Sequence, residues 1–473
     1  MLPSLSYGLT RIQGVSSNHF SLEPNNSSTA QPNSISRFSL PENALWNTKS
    51  TALHFNATTA ASGTDAGARL PAKIDSLVQS YRLTAGGVQL SSGHNLYNVL
   101  RHAKDVLCGD KTDSVLGHPE FVRSKTYVDG TAAIATTGNE VYANDGNRRF
   151  CINHWDGILG SLSPSILDTS LFPSLTLEVV WAPVSVLSSV AGVTLSGTKS
   201  ATDQLKTTNF TNNGAQGATY TCHDIVLSIN VIGMASNLYD EMVSSRMNSV
   251  GFLEMPFTNY FMSENTHTGS TRFSVATQSL DRVIVVQRAA GFDTQKAPVL
   301  VTGHREANAF VHNHPKADYA AGANLFDVGQ AGLENIFDSH TEKYVGAFFN
   351  FKETKTSSGT PKYQFQIQGT QIPQVEASVE EMYAISKDAM DVHTPMKNMT
   401  LAQYRDNYMV QAIRLALPDS SVFRTISGLD TRGINLDGQY RASNLLASTN
   451  VVLFMECTSC IRLGSGRSLE VVV

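Results

Sequence analysis

Arg69-Leu-Pro-Ala-Lys-Ile-Asp-Ser-Leu77 returns 203 residues later as Arg272-Phe-Ser-Val-Ala-Thr-Gln-Ser-Leu280, with a basic and a large apolar residue at one end and Ser-Leu at the other. Each copy follows a Thr/Gly-rich stretch and leads into a strand-like run, from Val78 and from Val283. Each is also preceded by a short apolar run, Leu53-His-Phe55 and Met255-Pro-Phe257. A spacing shared by two halves bears on architecture more than any single element does. It predicts two similar units of about 200 residues, joined near Asn237–Phe252, and that length exceeds the ~100 residues of an immunoglobulin-like sandwich. Eight-stranded jelly rolls with long insertions fit better.

Composition agrees with a β-rich reading. The chain has 473 residues, 41% hydrophobic and 16% charged, with 34 Gly and 16 Pro. That is apolar enough for two or three cores and excludes disorder as the main state. The charge is too sparse for a coiled coil or a salt-bridged helical bundle. With 35 basic against 40 acidic residues there is no excess of cations to neutralise phosphates, so direct gripping of nucleic acid is not expected. No apolar run reaches the ~18 residues of a membrane span, and Met1-Leu-Pro-Ser-Leu-Ser-Tyr7 lacks the marks of a secretory leader. The expected place of synthesis is therefore the cytosol or nucleus.

Residues 1–44 are rich in Ser, Asn, Pro and Thr without a sustained period, and read as an arm that orders only against something else. Beyond them lie strand-like runs: Leu175–Trp181, Ile225–Val231, Tyr363–Gln368, Val451–Met455 and Leu469–Val473. Each has period-two alternation or a short continuous apolar stretch. Helices are few. Asn95–Leu107 places Leu96, Val99, Leu100, Ala103 and Leu107 on one face, and Leu238–Met247 is a shorter candidate. Ser378-Val-Glu-Glu381 and Thr400-Leu-Ala-Gln403 match the capping box, the second opening a helix expected to run through Tyr408 and Leu415 to Pro418.

The near-motifs favour structure over chemistry. Five cysteines, Cys108, Cys151, Cys222, Cys457 and Cys460, are odd in number and dispersed, so reduced thiols are expected. Cys457-Thr-Ser-Cys460 has redox or half-zinc spacing, but it sits in a strand-like run without a second pair. His312-Asn-His314-Pro315 resembles part of a zinc isopeptidase motif, yet Gly322 and Leu325 stand where its Ser and Asp belong. Gly192–Ser200 resembles a P-loop with one residue too many before Lys199 and no helix-forming run after it. His154-Trp-Asp156 could stack a sugar, although such a trio is more often a turn with one packed indole. Asp430 and Arg432 read as a local ion pair in a turn, and the Asn-x-Ser/Thr triplets at Asn26, Asn56, Asn209 and Asn398 carry little without a leader. Neither His-Glu-x-x-His nor Gly-x-Ser-x-Gly occurs.

Phe252–Phe261 followed by Arg272–Arg282 resembles the opening of the second jelly roll in the double jelly-roll major capsid proteins of polinton-like viruses and virophages. Gln366-Ile-Gln-Gly-Thr-Gln-Ile-Pro-Gln374 with the helix at Ser378, Ser427–Gly433, Val451–Met455 and Arg462–Val472 extend the likeness, which is densest from Asn237 onward. The resemblance implies two jelly rolls per chain, three chains in a pseudo-hexagonal capsomer, and capsomers tiling an icosahedral shell around double-stranded DNA. It also implies loops forming an outward tower and terminal arms locking neighbours.

The expected fold is thus all-β: an arm over 1–44, a first jelly roll over 45–240 and a second over 241–473, with a few short helices. The expected function is that of a major capsid protein in the virion, a non-enzyme without catalytic, cofactor or metal residues. Its partners would be copies of itself and penton, vertex or minor capsid proteins. The alternatives are a carbohydrate-binding or glycan-active β-sandwich, which would need paired carboxylates or an aromatic platform, and a minor capsid or vertex protein.

Overall fold

The structure is a computed structural model that describes residues 15–60, 66–71, 73–91, 95–108, 149–191, 219–234, 238–294, 299–300, 344–357, 359–391, 400–417, 427–432, 438–464 and 468–473. The motif candidates at Gly192–Ser200 and at His312 and His314, the triplets at Asn209 and Asn398, and residues 1–14 lie outside them.

Eight principal strands lie in the first half: β1 Val15–Leu22, β2 Ile35–Ser39, β3 Leu45–Ala60, β4 Val78–Ala85, β5 Val88–Gln89, β6 Phe150–Ile152, β7 Leu175–Trp181 and β8 Thr219–Met234. One sheet runs β1-β8-β3-β6 and the other β2-β7-β4-β5. Eight more follow: β9 Phe252–Thr266, β10 Ser270–Phe273, β11 Leu280–Arg288, β12 Lys362–Ile367, β13 Thr370–Ala377, β14 Val410–Arg414, β15 Gly438–Ser443 and β16 Asn450–Gly464. Their sheets run β9-β16-β11-β14 and β10-β15-β12-β13. Both halves therefore share one wiring, in which strands 1, 8, 3, 6 face strands 2, 7, 4, 5, the order of a jelly roll. Among the described residues no strand pairing or isolated bridge joins one half to the other.

The wiring corrects two expectations. The stretch read as an arm supplies β1 and β2, the first two strands of the first roll. β1 pairs antiparallel with β8 from Val15↔Met234 to Leu22↔Leu227, and β2 with β7 from Ile35↔Val180 to Ser39↔Thr176. Composition misled because polar residues suit strands that lie at sheet edges. Inward positions still alternate, with Phe38 fully buried and Ser36 accepting a 2.9 Å bond from the Trp181 indole. The 203-residue echo likewise aligns unlike parts. Ser76-Leu77 ends a 3-10 turn before the fourth strand of its roll, whereas Ser279-Leu280 leads into the third strand of the other. The second and third strands of the two rolls start 235 residues apart, Ile35 to Ser270 and Leu45 to Leu280.

The few helices decorate the strands: α1 Tyr97–Cys108, α2 Ile158–Ser161, α3 Leu238–Val250, α4 Val379–Ala389 and α5 Leu401–Asn407. Both capping boxes close reciprocally, at Ser378/Glu381 and at Thr400/Gln403. α5 ends eight residues short of the expected Leu415 because Val410–Arg414 is claimed by the sheet. There β14 pairs with β11 from Arg282↔Arg414 to Val286↔Val410 and buries Val410, Ala412 and Ile413. Helical spacing in that stretch lost to a strand that could be buried on both faces.

The sheets differ in where their faces go. In β3 the inward Trp46, Leu53, Phe55 and Ala57 are buried, while Ala52, His54 and Asn56 between them stay partly exposed. That alternation marks a sheet with one open face. In the corresponding sheet of the second half, Val283 and Val285 of β11 join that half's own core while Ile284 and Val286 join the core of the first half. On β16, Val451, Leu453 and Met455 divide from Val452 and Phe454 in the same way. This sheet is the middle layer of the molecule, which explains why its strands read as continuous apolar runs.

Candidate functional site

A cluster of buried charge lies where the first half meets that middle layer. α1 forms because Val99, Leu100, Ala103, Val106 and Leu107 fall at helical spacing and bury. The same spacing puts Arg101, Lys104 and Asp105 on another side, with Arg101 and Asp105 paired i,i+4 at 3.6 Å. The 3-10 turn Ile74–Leu77 contributes Asp75, and Lys73 precedes it. Lys73 Nζ reaches Asp105 Oδ2 at 2.6 Å, and Arg101 reaches Asp75 at 3.4 Å and Asp156 at 3.1 Å. Lys104 pairs with the second oxygen of Asp156 and donates to the Tyr260 hydroxyl of β9 at 3.1 Å, crossing from one half to the other.

Three carboxylates thus meet three cations, the balance that buried charge requires. Burial alone would raise the Asp156 carboxyl, but Lys104 and Arg101 reverse the sign and hold it at about 2. Burial works against the Lys104 ammonium too, yet the Asp156 and Glu456 carboxylates outweigh it and push its pKa well up. The Tyr260 phenol is raised well above its ordinary value, first by burial and then by Glu456. It is therefore neutral near pH 7 and accepts the lysine proton as a hydrogen-bond partner, not as a phenolate. Asp75 is raised by burial and by Asp105.

Around this pair the halves are joined by neutral contacts. Thr258 N donates to Ser161 Oγ at 2.8 Å and Ser163 N to Pro256 O at 3.0 Å. His102 of α1 lies against Phe349 and Phe351, with ring centroids 5.2 and 5.1 Å away. Nearby, Arg282 pairs with Glu456 at 2.7 Å, and Arg282 and Arg414 share Asp391. The side chain of Arg288 is fully buried, paired with Glu264 at 2.8 Å and stacked 3.7 Å from the Phe292 ring centroid. Desolvation lowers its pKa to about 10. The arrangement serves to hold two bodies at a set distance and angle, because every cation in it has an anion or aromatic face.

The other sequence candidates fall into place individually. The Trp155 indole is buried, donates to Thr51 O at 2.9 Å and packs against Tyr81 and Tyr97, so it offers no face to a sugar. Its neighbour Asp156 is the hub of the ion cluster, a role that carried no signal in sequence because its cations arrive from α1, 52 and 55 residues away. Cys457 faces the second core with its thiol pushed up to about 12, chiefly by burial. Cys460, three positions on in the same strand, is a buried free thiol like Cys457. Asp430 and Arg432 form the expected exposed ion pair at 2.8 Å. Among the described residues no three His, Cys, Asp or Glu side chains gather as metal ligands, and no helix is long and apolar enough to cross a membrane.

No protein-family model and no curated protein matches the chain. Solved structures do. PBCV-1 VP54, fitted into a reconstruction of the virophage Sputnik, matches with 11% identity, a TM-score of 0.51 and 98% of each chain covered. The PBCV-1 virus capsid model matches with 10% identity, a TM-score of 0.50 and again 98% of each chain covered. The chain has the double jelly-roll fold of viral capsid proteins. A further double jelly roll, the faustovirus major capsid protein, has 10% identity and a TM-score of 0.49, over 97% of this chain and 92% of that one. At these identities the likeness is one of fold.

Proposed function

We propose that this chain is a major capsid protein, a structural and non-catalytic subunit that assembles with copies of itself into the shell of a virion. The observation that carries the reading is the match of the whole chain, both rolls together, to a protein fitted in a virophage shell and to a virus capsid. The physical logic is that a rigid pair of β-sandwiches repeats one shape-complementary contact under closed symmetry. Many modest contacts then hold a shell while each stays correctable during assembly. The proposed capsomer is a homotrimer of pseudo-hexagonal outline, tiling an icosahedral shell around double-stranded DNA with vertex and minor proteins as further partners. The proposed domain boundary stays near residue 240, with the first domain beginning at β1 and not at residue 45.

The test is the mass of the purified full chain by light scattering, followed by electron microscopy at high concentration. Three copies of 51.2 kDa give an expected particle of about 154 kDa, and arrays or shells of hexagonal units on concentration. A protein that remains a monomer at every concentration and forms no arrays overturns the proposal.

A further inference from the structure

Two leucines that reach solvent, Leu401 at 40% exposure and Leu446 at 42%, line the same groove. Apolar residues that stand singly on a surface need no explanation, whereas apolar residues gathered in a concave patch mark a binding surface. The groove has a volume of about 800 Å3. It is built at one end of the second roll, where β12 and β14 begin and the turn between β15 and β16 lies. Lys352–Lys355 lead toward β12, Leu401–Asp406 belong to α5, and Leu446 sits in that turn. Every described lining residue comes from one roll of one chain, so binding there requires no assembly.

The charged groups of the groove fall into two sets. On the inner side Glu353 is buried, accepts from the Tyr363 hydroxyl at 3.2 Å and lies 3.7 Å from Arg405, which also pairs with Glu380 at 2.8 Å. These charges answer one another. At the rim Lys352 and Lys355 are exposed, and neither forms an ion pair among the described residues. Asp406 lines the groove as well, which leaves the three cations Lys352, Lys355 and Arg405 against the two carboxylates Glu353 and Asp406. The groove thus offers an apolar seat beside two ammonium groups that have no anion of their own.

We infer that this groove receives a segment of a different protein that carries a large apolar side chain flanked by carboxylates. The apolar group sits against Leu401 and Leu446, and the carboxylates pair with Lys352 and Lys355. A basic segment would be repelled by the two lysines. An anionic glycan would answer the lysines and leave both leucines without an apolar partner. In such a contact the buried anchor supplies most of the affinity, while the rim charges set orientation and association rate.

The experiment titrates a dye-labelled Asp-Glu-Leu-Phe-Asp-Glu peptide with the full chain and follows fluorescence anisotropy. Lys-Lys-Leu-Phe-Lys-Lys, Ser-Ser-Leu-Phe-Ser-Ser and a heparin hexasaccharide serve as competing probes. The acidic peptide is expected to bind saturably with a dissociation constant below about 1 mM, at least about tenfold tighter than the other probes. Leu446→Glu, and Lys352→Glu combined with Lys355→Glu, should each weaken it at least about tenfold. Val375→Glu, at an exposed apolar position of β13 outside the groove, should leave it unchanged. No saturable binding, or equal binding of the three peptides, overturns the inference. So does tighter binding of heparin, which would assign the groove to a glycan. Groove variants that alter self-association in light scattering and leave peptide binding intact would assign it to a second copy and overturn the inference too. Folding of each variant is checked by near-UV circular dichroism. Should a groove variant fail to fold, a benzophenone in place of the peptide's Phe is photo-crosslinked to the wild type. Links mapped by mass spectrometry away from residues 352–355, 401–406 and 446 then overturn the inference.

Discussion

The β3-containing sheet of the first roll and the β11-containing sheet of the second have the same strand order and opposite surroundings. In the first, Ala52, His54 and Asn56 alternate with Leu53 and Phe55, and one face stays open. In the second, Val283 to Val286 are all fully buried, divided residue by residue between two cores. Wiring alone therefore does not set what a sheet is for. Two copies of one topology were made unequal by the residues at outward positions, apolar where the chain packs on itself and mostly polar where it does not.

The largest effects that test this contrast lie in the covered layer. Phe454→Ala, facing the first half from β16, should cost about 3–5 kcal/mol in denaturant unfolding, while Ser228→Ala on the open sheet should change stability by no more than ~0.5 kcal/mol. Equal losses at the two sites would dissolve the distinction between covered and open faces. Lys104→Ala should cost about 3–5 kcal/mol as well, because it leaves Asp156 buried with one cation fewer. A loss below ~1 kcal/mol would show that the seam is wet and weak.

Acid titration sharpens the comparison further. The Asp156 carboxyl is held at about 2, below its ordinary 3.8, so its pairing stabilises the fold fully above about pH 4 and is lost as pH falls from there toward 2. The stability difference between wild type and Asp156→Asn should hold steady near neutrality and shrink by about 2 kcal/mol over that window. Asp75, whose pKa is raised, acts with the opposite sign, which is why the difference between the two proteins is the quantity to follow. A gap that is flat down to pH 2 would remove Asp156 as the hub. The smallest effect belongs to α4, which packs on β14 of the second roll. Ser378→Ala should lower stability by about 1 kcal/mol through loss of the capping bond to Glu381 N, and Ser378→Gly by only a few tenths.

Much of the fold was legible residue by residue. Leu175–Trp181 alternates, and its strand buries every second side chain. Ser378 and Glu381 predicted their own reciprocal bonds and obtained them. The two-roll architecture was reached through an echo that pairs the wrong strands, so its support came from the spacing of strands and loops and from the resemblance. The misreading of residues 15–44 has a plain cause. An edge strand needs few apolar residues on its inward face, and Ile35-Ser-Arg-Phe-Ser39 places only Phe38 there, beside the buried Ser36. The ion cluster was invisible for another reason, since Lys73, Arg101, Lys104 and Asp156 come from three separated segments, and no local pattern records that they meet.

What the sequence determined by itself was local: which stretches alternate, which hydroxyls cap helices, and that charge is too sparse for a coiled coil or a salt-bridged helical bundle. These depend on neighbours within a few positions, where chemistry and spacing are enough. Only the tertiary structure decided which apolar runs are buried from both sides, that residues 410–414 join a sheet and not a helix, and which face of the first roll stays open. Those outcomes depend on what packs against each strand from tens or hundreds of residues away, and burial, the largest favourable contribution to folding, belongs to the partner as much as to the residue.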